Sequence, residues 1–138
     1  MIRSQNQTLL PPVLTSRVKV CVVDTDFGDY RPLLAERNLR GVQWEMVTSG
    51  REALRQLQQD SVTLWVINVQ LPDMAGAELC QMIKSQSPTA VVYLLTDDYR
   101  AEDERAAWLA GAALFRPKPI DPAWFERITQ RRVPAKAV

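Results

Sequence analysis

Five short apolar runs, each followed by a segment of helical periodicity, limit most strongly what this chain can become. The runs are RVKVCVVD (17–24), WEMV (44–47), SVTLWVINV (61–69), AVVYLLT (90–96) and AALF (112–115). The first, third and fourth are apolar almost without alternation, which marks strands covered on both faces. The intervening segments carry helix signals. FGDYRPLLAERNLRG (27–41) offers Asp29 as a cap, Pro32 in the first turn, Leu33 and Leu34 as an inward stripe, and Gly41 as a stop. SGREALRQLQQD (49–60) has Ser49 and Glu52 at capping-box spacing, with Ala53, Leu54 and Leu57 on one face. AGAELCQMIKSQ (75–86) places Ala75, Leu79, Met82 and Ile83 together. AEDERAAWLAG (101–111) starts acidic and stops at Gly111, in keeping with the helix dipole. DPAWFERITQRR (121–132) opens with Asp121 as a cap and Pro122 at the first helical position, and it ends basic.

Strands alternating with helices in this way predict an α/β fold, a doubly wound, five-stranded parallel sheet with five helices joined by right-handed crossovers. Pro117 has no N–H to give a ladder, so the fifth strand belongs at the sheet's edge. Residues 1–16, polar with a Pro11-Pro12 pair, read as a flexible lead-in. The domain spans 17–132, and 133–138 form a tail or the start of a linker.

In open sheets of this kind, functional groups gather at the carboxyl ends of the strands, near the switch point. Those ends supply Asp24-Thr25-Asp26, Asn68, Thr96-Asp97-Asp98 and, shortly after the fifth run, Lys118. Charge narrows the classes. Lys and Arg number 17 against 16 Asp and Glu, with no His, and this balance lacks the basic face that nucleic-acid binding needs. It gives no reason to expect a membrane surface either. No apolar run approaches the roughly 20 residues that span a bilayer, and the start lacks a signal-peptide pattern. Cys21 and Cys80 sit in apolar patterned segments and read as small buried hydrophobes of a reducing compartment, so the expected location is cytoplasmic. No Gly-rich phosphate loop supports a nucleotide or flavin.

Taken in order, these strand ends resemble the receiver domain of bacterial two-component response regulators. VVDTD is similar to the family's acidic cluster after the first strand, and VINVQLPDMAG to its phosphoacceptor strand and loop, with Pro72 and Gly76 in place. LLTD puts Thr96 at the switch hydroxyl, and AGAALFRPKP puts Phe115 at the switch aromatic and Lys118-Pro119 at the Lys-Pro pair. The resemblance covers about 17–132 and implies the flavodoxin-like strand order 2-1-3-4-5. It also implies a cis bond before Pro119 as a candidate feature.

In active members an acidic pair and the phosphoacceptor Asp hold magnesium, and that Asp takes a phosphoryl group from a histidine kinase. Here the pair aligns with Asp24 and Thr25, and the acceptor position is Asn68. Magnesium prefers carboxylates, and an amide cannot form an acyl phosphate. The resemblance with these departures implies weak or absent magnesium binding, no cofactor, no enzymatic activity, and no phosphotransfer to residue 68. Asp24 is expected to pair with Lys118, because a buried ammonium needs a counter-charge. Thr25 is a strand-end residue or a hydrogen-bond partner of Asn68, and Asn68 caps its loop or mimics one signalling state. Asp26, Asp97 and Asp98 read as solvated loop charges; Thr96 caps a loop, and Phe115 packs.

The expected function is an atypical, phosphorylation-independent interaction module in bacterial signalling or transcriptional control. Its protein partner or second copy would dock on the face of the fourth helix, fifth strand and fifth helix. Leu109, Leu114, Trp124 and Phe125 are the candidate contacts there, with Trp108 read as core. Two alternatives stay open: a phosphorylation or metal switch using Asp24 and Asp26, and a small-molecule sensor at the strand-end pocket.

Overall fold

The computed structural model describes residues 18–35, 41–59 and 61–123. The chain runs β1 (Lys19–Val23), a 3-10 turn (Phe27–Tyr30), α1 (Arg31–Leu34), β2 (Gln43–Val47), α2 (Gly50–Gln59), β3 (Leu64–Asn68), α3 (Gly76–Gln86), β4 (Val91–Thr96), α4 (Ala101–Ala110) and β5 (Leu114–Pro117). The strands form one parallel sheet in the order β2-β1-β3-β4-β5. This is the doubly wound α/β architecture with order 2-1-3-4-5. Among the described strands β5 pairs only with β4, with Pro117 opposite Thr96 at the edge, where a missing donor costs no ladder bond.

Helices cover the sheet on both sides because each strand sends successive side chains to opposite faces. Cys21, Val23, Trp65, Ile67, Val92 and Leu94 meet Ala53 of α2, Leu79, Cys80 and Ile83 of α3, and Ala107 and Ala110 of α4. Val20, Val22, Leu64, Val66, Tyr93 and Leu95 meet Tyr30, Leu33 and Ile120 on the other side. All five residues of β3 are buried, which is why its sequence shows no polar alternation. Burial pushes the Cys21 thiol up to about 12 and the Cys80 thiol to about 11, so neither is a ready nucleophile.

Several local expectations need correction. Asp26, and not Asp29, caps the first helical segment by accepting from the Gly28 N–H. That segment begins as a 3-10 turn, which rotates Leu34 outward to 48% exposure while Leu33 stays buried. On α3 the buried positions are Gly76, Leu79, Cys80 and Ile83, a cleaner 3–4 spacing than the one including Ala75 and Met82, and Met82 is 40% exposed. The fifth strand starts at Leu114, because the Ala112 N–H still closes the end of α4 on the Ala107 carbonyl. Pro122 and Ala123 are helical, and Asp121 accepts from the Ala123 N–H. The rest of the expected fifth helix, with Trp124 and Phe125, lies outside the described residues.

The β3–α3 loop is held by backbone groups. The Gly76 N–H reaches the Val69 carbonyl at 2.8 Å, and the Leu71 N–H reaches the Met74 carbonyl at 3.2 Å. Asp73 accepts from the Gly50 and Arg51 N–H groups, both at 2.9 Å, so this loop caps the start of α2. Ser49 and Glu52 add to that cap: the Ser49 hydroxyl accepts from the Glu52 N–H, and the Glu52 carboxylate accepts from the Thr48 N–H. At Gly76 a Cβ would overlap the Asn68 carbonyl oxygen and lie 2.9 Å from the Val69 Cα, so the loop passes where only glycine leaves room. Gly76→Ala is expected to lower stability by about 1–3 kcal/mol through this backbone clash. Gly50→Ala, whose Cβ meets only the flexible Met74 side chain, should cost less; urea unfolding of the two variants checks the order.

Candidate functional site

Asp24 leaves the end of β1 and is 2% exposed. Its Oδ2 accepts from the Tyr30 hydroxyl at 2.7 Å, the Lys118 Nζ at 2.7 Å and the Asn68 Nδ2 at 3.2 Å. Its Oδ1 accepts from the Asp26 N–H at 3.1 Å. Burial alone would raise the Asp24 pKa, but the hydrogen bonds from Lys118, Tyr30 and Asp26 outweigh it and hold the carboxyl below its usual 3.8.

Lys118, just after β5, is the centre of the charge. Its Nζ also lies 2.8 Å from Asp29 Oδ2 and 3.2 Å from Asp97 Oδ1, and it sits 5.5 Å from the centroid of the Tyr30 ring. Burial works to lower its pKa. The hydrogen bonds to Asp24 and Asp29 and the charge of Asp24 overcome this and raise it above the ordinary 10.5. Tyr30 is fully buried, and burial with the adjacent Asp24 charge drives its pKa up, so it stays a protonated donor.

Asn68 closes β3 with every polar atom of its amide engaged. Nδ2 donates to Asp24 and to Asp97 Oδ2, each at 3.2 Å, while Oδ1 accepts from the Gln70 N–H at 2.8 Å. The orientation follows from the partners, since a flipped amide would aim its oxygen at two carboxylates. Thr96, buried at the end of β4, donates to the Asp98 carbonyl at 2.7 Å. Thr25 is exposed and lines an open groove of about 600 Å³ with Gln70, Leu71, Pro72 and Asp103. Asp26 is exposed and occupied with its cap, outside the charge cluster. The Lys118–Pro119 bond is cis.

The structure therefore brings Asp24, Asn68 and Lys118 together, with Thr96 and Thr25 at the margin. It adds Asp29 and Asp97, which the sequence suggests as a helix cap and a solvated loop charge, and Tyr30, which no sequence signal marks. Magnesium does not fit this donor set. Oδ2 of Asp24 already takes three donors and Oδ1 one, residues 25 and 68 offer no carboxylate, and an ammonium holds the point where the remaining acids converge.

A second feature lies on α4 and β5. Phe115 is buried with Tyr99 edge-on to it, centroids 6.1 Å apart. Tyr99 and Trp108 are 56% and 47% exposed, so Trp108 is a surface residue and not core, and Leu109 is 78% exposed. Glu104 ties the two aromatics together, accepting from the Tyr99 hydroxyl at 2.7 Å and the Trp108 Nε1 at 3.2 Å. Leu114 gives part of its surface to the core.

The pocket's charges fix a pH window. Asp24 has a depressed pKa, so its contribution is present above 3.8 and is lost as pH falls below that value. Lys118 has a raised pKa, so its contribution is present below 10.5 and is lost as pH rises beyond it. The stability difference between the wild type and Asp24→Asn should hold level between these limits and shrink outside them, as denaturant unfolding across pH would record.

The family model for the response regulator receiver domain matches residues 20–130. Among curated relatives, the response regulator MprA of Mycolicibacterium vanbaalenii is 29% identical over 103 residues, covering 75% of this chain and 45% of that protein. The heme response regulator HssR of Staphylococcus haemolyticus is 29% identical over 106 residues, 75% of this chain and 46% of the relative. The chain thus spans about half the length of the curated relatives it matches. Among solved structures, a CheY-like receiver domain protein from Methanospirillum hungatei superposes with a TM-score of 0.78 at 20% identity, over 88% of this chain and 98% of that one. The BeF3-activated DrrB receiver domain gives 0.72 at 28% identity, over 83% and 95%. Since the family model accounts for most of the sheet, the strand-end pocket and the loop around it, the chain belongs to the response regulator receiver domain family.

Proposed function

We propose that this chain is an atypical receiver domain that serves two-component-type signalling or transcriptional control as a phosphorylation-independent protein-interaction module. The observation that carries the reading is Asn68, at the position where the family bears its phosphoacceptor, with both amide hydrogens given to Asp24 and Asp97. A neutral amide has no carboxylate oxygen to attack phosphorus. Three carboxylates around one ammonium leave the pocket negative, which opposes an incoming phosphoryl anion. Among the described residues no group of acids is arranged to hold a metal that would offset that charge. The domain is a signalling module, and its output lies in what it docks to.

The docking face proposed is that of α4 and β5. Leu109 and Trp108 present apolar surface there, and the Glu104 hydrogen bonds hold the two aromatics in fixed orientations before any partner arrives. A pre-oriented Trp flanked by an exposed Leu has the character of an interface anchor. A protein partner or a second copy of the chain is the proposed occupant.

Two measurements test this. Incubation with acetyl phosphate and magnesium should add no phosphoryl group by intact-protein mass spectrometry, and beryllofluoride with magnesium should leave the NMR spectrum unchanged. A saturable, metal-dependent shift would restore the conventional switch. On the docking face, Leu109→Asp should weaken association roughly tenfold or more, about 1.4 kcal/mol, in sedimentation velocity for the self-associated form. An unchanged profile of a self-associating wild type would move the interface elsewhere.

A further inference from the structure

We propose that the groove beside the β3–α3 loop is a binding site for a small organic cation with an apolar stem, of the alkylguanidinium or alkylammonium class. This adds a ligand to the module described above and does not depend on where a protein partner docks.

The groove encloses about 600 Å³, a volume within the roughly 300–1,000 Å³ of small-molecule sites. Its floor is apolar. Val69, Leu71 and Met74 line it while packing against the core on the side of α2, α3 and α4, and Pro72 lies alongside. The loop that carries them is fixed by the Gly76 N–H on the Val69 carbonyl, the Leu71 N–H on the Met74 carbonyl and Asp73 on the start of α2. The floor therefore exists before any ligand arrives, and binding has little chain to order.

The charge of the groove comes from α4. Asp103, in the first turn of that helix, is half-buried and lines the groove, and among the described lining residues it alone is charged. Acids nearby are occupied within the fold: Asp24, Asp29 and Asp97 hold Lys118, Asp73 caps α2, and Glu104 holds Tyr99 and Trp108. Asp103 differs. Among the described residues no hydrogen bond or ion pair takes up its carboxylate. A half-buried anion left unpaired above an apolar floor is a place for a cation from outside.

The same chemistry says which cation. Among the described residues no group of acids is arranged to hold a metal ion, and one carboxylate alone does not make such a site. An organic cation gains from both parts of the groove. Its head meets Asp103, where a guanidinium matches the two carboxylate oxygens with two parallel N–H groups. Its stem covers the floor, as the stem of an arginine covers apolar surface beneath its charged head. Thr25 lines the groove with a hydroxyl, so position 25 brings neither a competing charge nor bulk. The adjoining pocket, with three carboxylates around one ammonium, adds a field that attracts cations and turns anions away.

Amide NMR titration of the full chain with n-butylguanidinium chloride, in EDTA and at constant ionic strength, tests the assignment. Saturable shifts are expected at Gln70, Leu71, Met74 and Asp103, with half-saturation at roughly millimolar concentration for so small a ligand. Neutral n-butylurea, which keeps the shape and loses the charge, should bind about two- to fivefold more weakly, the range of a partly exposed ion pair. Asp103→Asn should weaken n-butylguanidinium by the same factor, and pentanoate should give no saturation. Thr25→Lys leaves Asp103 in place and sets a tethered ammonium beside the groove, so it too should weaken binding; with n-butylurea it decides the matter if Asp103→Asn does not fold. The proposal is overturned if n-butylguanidinium does not saturate, or if its shifts spread over other acidic surfaces as adventitious pairing. It is equally overturned if n-butylurea or pentanoate binds as tightly, or if either folded variant binds as the wild type does.

Discussion

Asp24 and Lys118 stand 94 residues apart in sequence and 2.7 Å apart in space, and this pair ties the last described strand to the first. Taking two charges out of water is expensive, and the mutual attraction recovers the cost only where further hydrogen bonds complete both partners. Here they do. Tyr30, Asn68 and the Asp26 N–H complete the carboxylate, while Asp29 and Asp97 complete the ammonium. Removing one member of such a pair typically costs on the order of 3–5 kcal/mol, because the other is left buried and uncompensated. The pair joins the end of β1, the turn before α1, the end of β3 and the loops after β4 and β5, so five segments share one electrostatic centre.

The sheet beneath this centre was legible from sequence because its physics is local and periodic. Strands buried on two faces must be apolar along their buried run, and Leu64–Ile67 is. Pro117 located an edge by the donor it lacks. The misses were of phase. Leu34 and Met82 each fit an inward stripe on an idealised helix, but a 3-10 start and a one-position rotation turned them to solvent. Size alone reads Trp108 as core. Its exposure follows from Glu104 satisfying its N–H at the surface, a partnership that i, i+4 spacing hints at but hydrophobicity conceals.

The pocket was legible only in part, for a different reason. Strand-end position marks Asp24, Asn68, Thr96 and Lys118 without knowledge of distances. Asp29 and Tyr30 lie on a helical turn, where an acid reads naturally as a cap and an aromatic as core. Their convergence on Lys118 is a tertiary fact. Asp97 had a signal available: it follows Thr96 directly, and a lysine facing several strand-end acids must collect more than one of them. A charge count for the pocket, in place of a partner for each residue, assigns it to the lysine rather than to solvent.

The anchoring of the β3–α3 loop has a wider consequence. Its path is set by main-chain bonds, by Asp73 on the N–H groups of α2 and by the space that Gly76 leaves open. Among the described residues, the one charge-pocket side chain that contributes is Asn68, through a single bond to the Gln70 N–H that an aspartate oxygen at the same position could accept equally well. Scaffold and chemistry are thus nearly separable. Substitutions at the strand ends can exchange carboxylates for amides or hydroxyls while the loop keeps its trace, which gives this architecture a built-in tolerance to changes of chemical role.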